Sequence, residues 1–179
     1  EKLLAEKMAY KCFCTPGDLE ERKKGAIARG EKPMYDRRCR DADQNQNNPF
    51  CVRFLTKEKG ETLVQDLIHG NVTFQNGELD DLVIQRTDGG PTYNLCVVVD
   101  DALMRISHII RGDDHLNNTP RQLQLYEAFG FEKPLFAHLP MILGSDKKRL
   151  SKRHGATSVL AYRDMGYLSD ALLNFLVRI

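Results

Sequence analysis

The spacing of apolar and polar positions changes character along the chain. In residues 1–9, Leu3, Leu4 and Met8 fall on one side of a charged pattern, which predicts the end of an amphipathic helix. Tyr10–Cys14 is short and aromatic and suits a strand or a turn. Thr15-Pro16 reads as a helix start, with Thr as N-cap, Pro at the first helical position, and Asp18 and Glu20 in the first turn. That helix runs through the charged stretch Leu19–Ala28 and stops at Gly30. Residues 31–49 show no period and carry Pro33, Pro49 and a polar run of Asp, Gln and Asn. They predict a long loop, a kind of segment that usually means function or local cross-linking.

From Phe50 the pattern becomes β. Phe50–Leu55, Thr62–Asp66, Gly70–Phe74 and Leu82–Arg86 are short β-branched or aromatic runs separated by glycines, and Thr87-Asp88-Gly89-Gly90-Pro91 is a turn. Tyr93–Asp101 has a continuous apolar middle and predicts a strand buried on both faces. Ile106–Ile110 predicts a second such strand. Thr119 opens a helix with Pro120 at its first position; it carries Leu123, Leu125, Tyr126 and Phe129 and ends at Gly130. Leu135–Leu143 predicts a third strand, and Ser158–Met165 and Ser169–Val177 predict helices split by Gly166. Strand, strand, helix, strand suggests a doubly wound α/β piece after an α+β first half. Three strands are too few for a complete sheet of that kind, so the chain reads as the middle of a larger architecture.

Composition changes this picture little. A chain of 179 residues buries a real core in one or two domains, and 41% hydrophobic with 28% charged residues is ordinary for a globular protein. The net charge of +1 gives no global pull toward nucleic acid, so any such site must come from local patches. No apolar run approaches the roughly 20 residues of a transmembrane helix, and the charged N-terminus is not a signal peptide. The five cysteines are unevenly spaced and odd in number. That argues against a secreted disulfide framework and for thiols in a reducing cytoplasm.

Two groups carry candidate chemistry on residue type and spacing alone. Cys12-x-Cys14 followed by Cys39-x-Asp41 offers two thiolates that can share a metal and a second pair brought from the loop, as in a tetrahedral zinc site. Asp41, Cys51 or a water is left open for the fourth position. The alternative is that these are small buried apolar residues, as free Cys often are. The second group is Tyr93 with Arg111, Asp113, Asp114 and His115. Arg111 follows an apolar strand, where an open α/β sheet places its binding crevice, and its guanidinium can hold a carboxylate through two parallel N–H bonds. Tyr93 adds a hydroxyl donor. Asp113, Asp114 and His115 suit an amine, a ribose or a metal-bound phosphate. An ordinary loop with a surface salt bridge is the competing reading.

The third group is the basic stretch Asp146-Lys147-Lys148-Arg149-Leu150-Ser151-Lys152-Arg153-His154-Gly155-Ala156, flanked by Gly144 and Gly155. Its core resembles the Lys-Met-Ser-Lys-Ser loop of class I aminoacyl-tRNA synthetases. With Tyr10–Pro16, Gly30–Pro33, Glu78–Ile84, Arg86–Asn94, Val97–Asp101, His108–His115 and Asn118–Gln122 in this order, essentially the whole chain resembles bacterial glutamyl-tRNA synthetases.

The resemblance implies an α/β fold: the second half of a Rossmann catalytic domain with an inserted α+β acceptor-stem-binding domain. Residues 1–92 correspond to the insertion, 93–145 to the second Rossmann half, and 146–179 to the basic loop and the start of a helical stem-contact domain. It implies ATP with Mg2+, L-glutamate and tRNA(Glu) as substrates, and a cytoplasmic, monomeric parent enzyme. Adenylate formation builds charge on the phosphates, which mobile Lys and Arg side chains can close on. Lys152 is expected at the ATP phosphates, with Arg149 in the first Lys position. Tyr93 and Arg111 are expected to face glutamate, and Asp114 and His115 to lie near ATP. Some members carry zinc at Cys-x-Cys plus Cys-x-His; here Asp41 stands in the His position, beside Cys12, Cys14 and Cys39. No His-x-Gly-His-type motif occurs in the chain, so the piece alone is expected to be inactive and its basic loop mobile. The related enzyme that loads glutamate onto queuosine, and a non-catalytic acceptor-binding module, are the alternatives.

Overall fold

The computed structural model describes residues 1–144, 146–148, 150 and 158–178. It divides into two compact units, Glu1–Ile109 with Asn117–Ala137, and Ile110–Leu116 with His138–Ile179. The expected boundary at 92/93 falls inside the first of these.

The first unit opens with α1 (Lys2–Ala5), much shorter than the amphipathic helix expected over residues 1–9. Lys7 turns the chain at φ 57°, and β1 (Ala9–Cys12) follows. α2 (Pro16–Ala28) starts as its sequence predicts. The Thr15 hydroxyl accepts from the Asp18 N–H, and the Asp18 carboxylate accepts from the Thr15 N–H, a reciprocal cap that satisfies two N-terminal donors. β2 (Cys51–Phe54) pairs antiparallel with β1 in the register Ala9↔Phe54 to Cys12↔Cys51, and β5 (Val83–Gln85) pairs with the other edge of β2. β3 (Glu61–Asp66) and β4 (Gly70–Gln75) form a hairpin. β3 then meets β7 (Leu135–Leu139) in parallel at Asp66↔Phe136. The second sheet has the order β4-β3-β7-β6, with β6 at His108–Gly112.

One element is corrected. Tyr93–Asp101, expected as a buried strand, is the first part of helix α3 (Tyr93–Leu103). A short continuous apolar run fits a buried strand and a buried helix equally well. Here packing decides against the β preference of Val97-Val98-Val99: α3 lies on α4 (Thr119–Phe129), and Val98 is fully buried. The Gln122 amide also donates to Asn94 Oδ1 across the two helices at 2.9 Å. The alternation is therefore helix, strand, helix, strand. Gly130, at φ 70°, ends α4 in the left-handed conformation that favours glycine. The third strand also stops earlier than expected, at Leu139.

Two buried polar clusters tie the irregular segments of this unit down. Asp81 is fully buried. Its carboxylate accepts from Tyr10 Oη at 2.6 Å, from Arg40 Nε at 2.7 Å and Nη2 at 2.5 Å, and from the Thr56 N–H at 3.2 Å. Its carbonyl accepts from Arg53 Nη1 at 2.7 Å. Burial and the bond to Asp81 push the Tyr10 hydroxyl's pKa well up. In the second cluster, Gln124 of α4 donates to Thr62 Oγ1 at 3.0 Å and Asn76 Oδ1 at 3.1 Å and accepts from the Lys57 N–H at 3.0 Å. This joins helix to hairpin.

In the second unit, the end of β6 leads into a 3-10 turn, Asp113–Asn118, whose first residues belong here. β7 ends here with His138 and Leu139. The helices α5 (Val159–Asp164) and α6 (Ser169–Val177) follow, close to the spans expected. No helix among the described residues is long and apolar enough to cross a membrane.

Removing one partner of a buried, multiply bonded ion pair strands the other. Asp81→Ala is therefore expected to lower stability by about 3–5 kcal/mol, measured as a lower urea midpoint with unchanged slope. Gly17→Ala on α2 is expected to be neutral or stabilising by up to about 1 kcal/mol, because the added carbon meets only Thr15 Oγ1 at an ordinary 3.7 Å.

Candidate functional site

The cysteine cluster is assembled by sheet register and by the long loop. β1 delivers Cys12 at its last residue, opposite Cys51 of β2, and Cys14 lies two residues further on. Cys39 comes from the loop. Gln44 holds that loop, donating to the carbonyls of Cys39 at 3.1 Å and Ala42 at 3.0 Å and accepting from the Lys11 N–H at 2.7 Å. The sulfurs of Cys12, Cys14 and Cys39 all lie within 4.8 Å of one another, with Cys14 and Cys39 3.6 Å apart. Cys12 and Cys39 are buried.

A fourth polar atom stands with them. Tyr35 Oη lies 3.2 Å from Cys12 Sγ and 3.8 Å from Cys14 Sγ, and the Cys39 N–H donates to it at 3.4 Å. Tyr35 is fixed from both ends: its N–H donates to Asp80 Oδ1 at 2.9 Å, and the Arg53 guanidinium lies over its ring at 3.8 Å. Asp41 is exposed and does not join the three-thiol group. Tyr35 escapes sequence reasoning because no ligand spacing marks it.

The electrostatics separate the thiols. The hydrogen bond from Cys51 pulls the Cys12 pKa down to about 4 against the opposing effect of burial; Tyr35, Arg53 and the Cys14 backbone add to the fall. The same bond, with burial, pushes Cys51 up. Burial above all pushes Cys14 up to about 12, and it likewise raises Tyr35. The cluster thus stabilises one thiolate and opposes further negative charge unless a cation is added. Tetrahedral zinc with Zn–S near 2.3 Å requires sulfurs roughly 3.8 Å apart; Cys14 and Cys39 are 3.6 Å apart, and all three sulfurs lie within 4.8 Å of one another. Three thiols and the Tyr35 oxygen therefore fit zinc.

The second group divides between the units. Tyr93 is the first residue of α3 in the first unit and is half exposed. Arg111, Asp113, Asp114 and His115 belong to the second. Arg111 lies within β6, not after it; its Nε donates to His138 Nε2 at 3.1 Å and its Nη2 to the His115 carbonyl at 3.4 Å. His115 Nε2 and Asp114 Oδ2 are 3.9 Å apart. A β-carbon at Gly112 would lie 2.7 Å from Asp114 Oδ1 and 3.5 Å from Met141 Sδ, so the absence of a side chain there admits the carboxylate. His138 is the residue that sequence reasoning missed: a polar position inside an apolar run, which is the available signal. Lys152 and Arg149 lie outside the described residues.

A mixed α/β chain with this strand–helix–strand topology is of the Rossmann-like class. The family model for class I tRNA synthetases (E and Q), catalytic domain, matches residues 1–179, and the chain belongs to that family. A glutamate–tRNA ligase from Trichlorobacter lovleyi is 64% identical over 180 residues, covering 100% of this chain and 39% of the relative. One from Thermodesulfovibrio yellowstonii is 62% identical, covering 99% and 38%. A crystal structure of a glutamate tRNA ligase from Elizabethkingia meningosepticum in complex with its amino acid superposes with a TM-score of 0.81 at 30% identity. It covers 98% of this chain and 41% of that one. The chain spans about two fifths of the length of the curated relatives it matches.

Gly112→Ala is expected to displace the Asp114 carboxylate with little change in stability, because the close atom is the free end of that side chain. Chemical shifts of Asp114 and the urea midpoint check it.

Proposed function

We propose that this chain is part of a glutamate–tRNA ligase. The supporting observation is the 64% identity to such a ligase along the whole of the chain. In this reading a glutamate carboxylate oxygen attacks the α-phosphorus of ATP, pyrophosphate leaves, and the 3′-terminal hydroxyl of tRNA(Glu) then displaces AMP from the adenylate. Mg2+ neutralises phosphate charge when ATP is bound. Residues 1–92 act as the inserted acceptor-stem-binding domain, 93–145 as the second Rossmann half, and 146–179 as the basic loop and the start of the stem-contact domain.

Each side chain has a distinct task. Arg111 pairs with the side-chain carboxylate of glutamate, and Tyr93 contributes a hydroxyl on the same substrate. Asp114 and His115 serve the ATP side. Lys152 and Arg149 close on the phosphates, where charge builds in the transition state and a positioned cation has most effect. Cys12, Cys14, Cys39 and the Tyr35 oxygen hold zinc, which supplies no chemistry to the reaction. It cross-links β1 to the loop and so shapes the acceptor-binding insertion.

Three outcomes are expected. In a full-length ligase carrying this segment, Lys152→Ala cuts pyrophosphate exchange far more than glutamate binding; equal losses in both count against a transition-state role. The chain purifies with one equivalent of zinc by elemental analysis, and Cys14→Ser loses most of it, while Asp41→Asn retains it. Tyr35→Phe, which removes one of the four proposed donors, weakens zinc by about tenfold or more, read by competition with a chromogenic chelator. A chain that binds no zinc and whose Cys12 and Cys14 alkylate freely would sink the metal assignment.

A further inference from the structure

We infer that His138 is a positioning residue for Arg111, holding the guanidinium in the plane that receives the carboxylate of the substrate. The inference rests on the reading of Arg111 given above. His138 stands in β7 between Ala137 and Leu139 and is fully buried. A polar ring inside an apolar strand face is costly unless it is hydrogen-bonded. It is bonded to the strand beside it: Arg111 Nε, on β6, donates to His138 Nε2 at 3.1 Å.

The direction of that bond follows from chemistry. Arginine has donors and no acceptor, and it stays charged at any pH a protein survives. His138 Nε2 must therefore be the unprotonated nitrogen, with the ring neutral and its proton on Nδ1. A ring protonated on Nε2 has no lone pair to offer and would set a donor against a donor.

The guanidinium is held from a second side by the His115 carbonyl, which accepts from Nη2 at 3.4 Å. The two anchors come from different segments, β7 and the 3-10 turn. Together they fix both the position and the plane of the group. With Nε engaged by His138, a carboxylate pairs with Arg111 through the terminal nitrogens Nη1 and Nη2. Two parallel bonds form only if the carboxylate lies in the guanidinium plane. An amide in its place offers one acceptor and a donor group, so plane and edge together favour glutamate over glutamine. His138 contributes by holding that plane and touches no substrate.

The test is kinetic, with a spectroscopic arm, on a full-length ligase carrying this segment. His138→Leu keeps the volume and removes the acceptor. Its KM for glutamate is expected to rise about tenfold or more, the loss typical of a hydrogen bond to a charged group, with the KM for ATP unchanged. His138→Gln restores an acceptor and is expected to recover most of the loss. Proportional rises in both KM values, or no change for glutamate, would overturn the proposal. Arg111→Ala separates the two levels. If it leaves the KM for glutamate unchanged, the reading of Arg111 fails. If it raises that KM while His138→Leu does not, only the positioning role fails. Should His138→Leu not fold, the nitrogen-15 spectrum of the unaltered protein decides. An Nε2 signal of the unprotonated type, identified by its loss in His138→Gln, supports the proposal, and a protonated Nε2 overturns it.

Discussion

The buried carboxylate of Asp81 is the point on which the first unit depends. Three segments distant in sequence converge on it: β1 through Tyr10, the long loop through Arg40, and the stretch just after β2 through Thr56. Arg40 and Arg37 also pair with Glu58, so the loop carries its own cations inward to one anion and outward to another. The arrangement satisfies a charge that would otherwise be prohibitive to bury. It also explains how the irregular segment 31–49 keeps a single course: its backbone has few partners of its own, and its arginines supply the missing contacts.

The thiol cluster grows from the same framework. Arg53 donates to the Asp81 carbonyl and lies over Tyr35, so a single side chain joins the carboxylate cluster to the thiol cluster. Tyr35 in turn touches two sulfurs. Charge balance in the two clusters is complementary: one concentrates arginines on a carboxylate, and the other accumulates potential anions that await a cation. The second unit shows the same economy at Arg111, where a strand neighbour, His138, and a turn carbonyl, that of His115, hold the guanidinium.

What was legible in the sequence followed from local chemistry. Thr15-Pro16 with Asp18 marks a helix start because the cap is satisfied within four residues, and Gly130 marks an end because the chain must turn left-handed there. The strands Thr62–Asp66 and Gly70–Phe74 were legible as short β-branched or aromatic runs separated by glycine; that they pair as a hairpin was not. The failures share one cause, dependence on distant contacts. Val97-Val98-Val99 favours a strand by itself and becomes helical because α4 offers Val98 a buried seat and Asn94 a partner. Tyr35 is 23 residues from Cys12 and joins it only through folding. His138 reads as one more member of an apolar run until Arg111 is placed beside it. Cys12, Cys14 and Cys39 were legible as a set because ligand chemistry restricts residue type; the fourth corner was not, because an aromatic hydroxyl carries no such mark.

The facing of Cys12 and Cys51 across β1 and β2 has a consequence for assembly. Side chains on a strand alternate between faces, so a slip of one residue in this short pairing would turn Cys12 away from Cys39 and Tyr35. A four-residue strand discriminates weakly between registers by hydrophobicity alone. A cation captured only by the correct set of donors rewards only the correct register. The centre would then work as a proofreading device for the sheet, converting a marginal preference between two pairings into a decisive one before the loop closes over it.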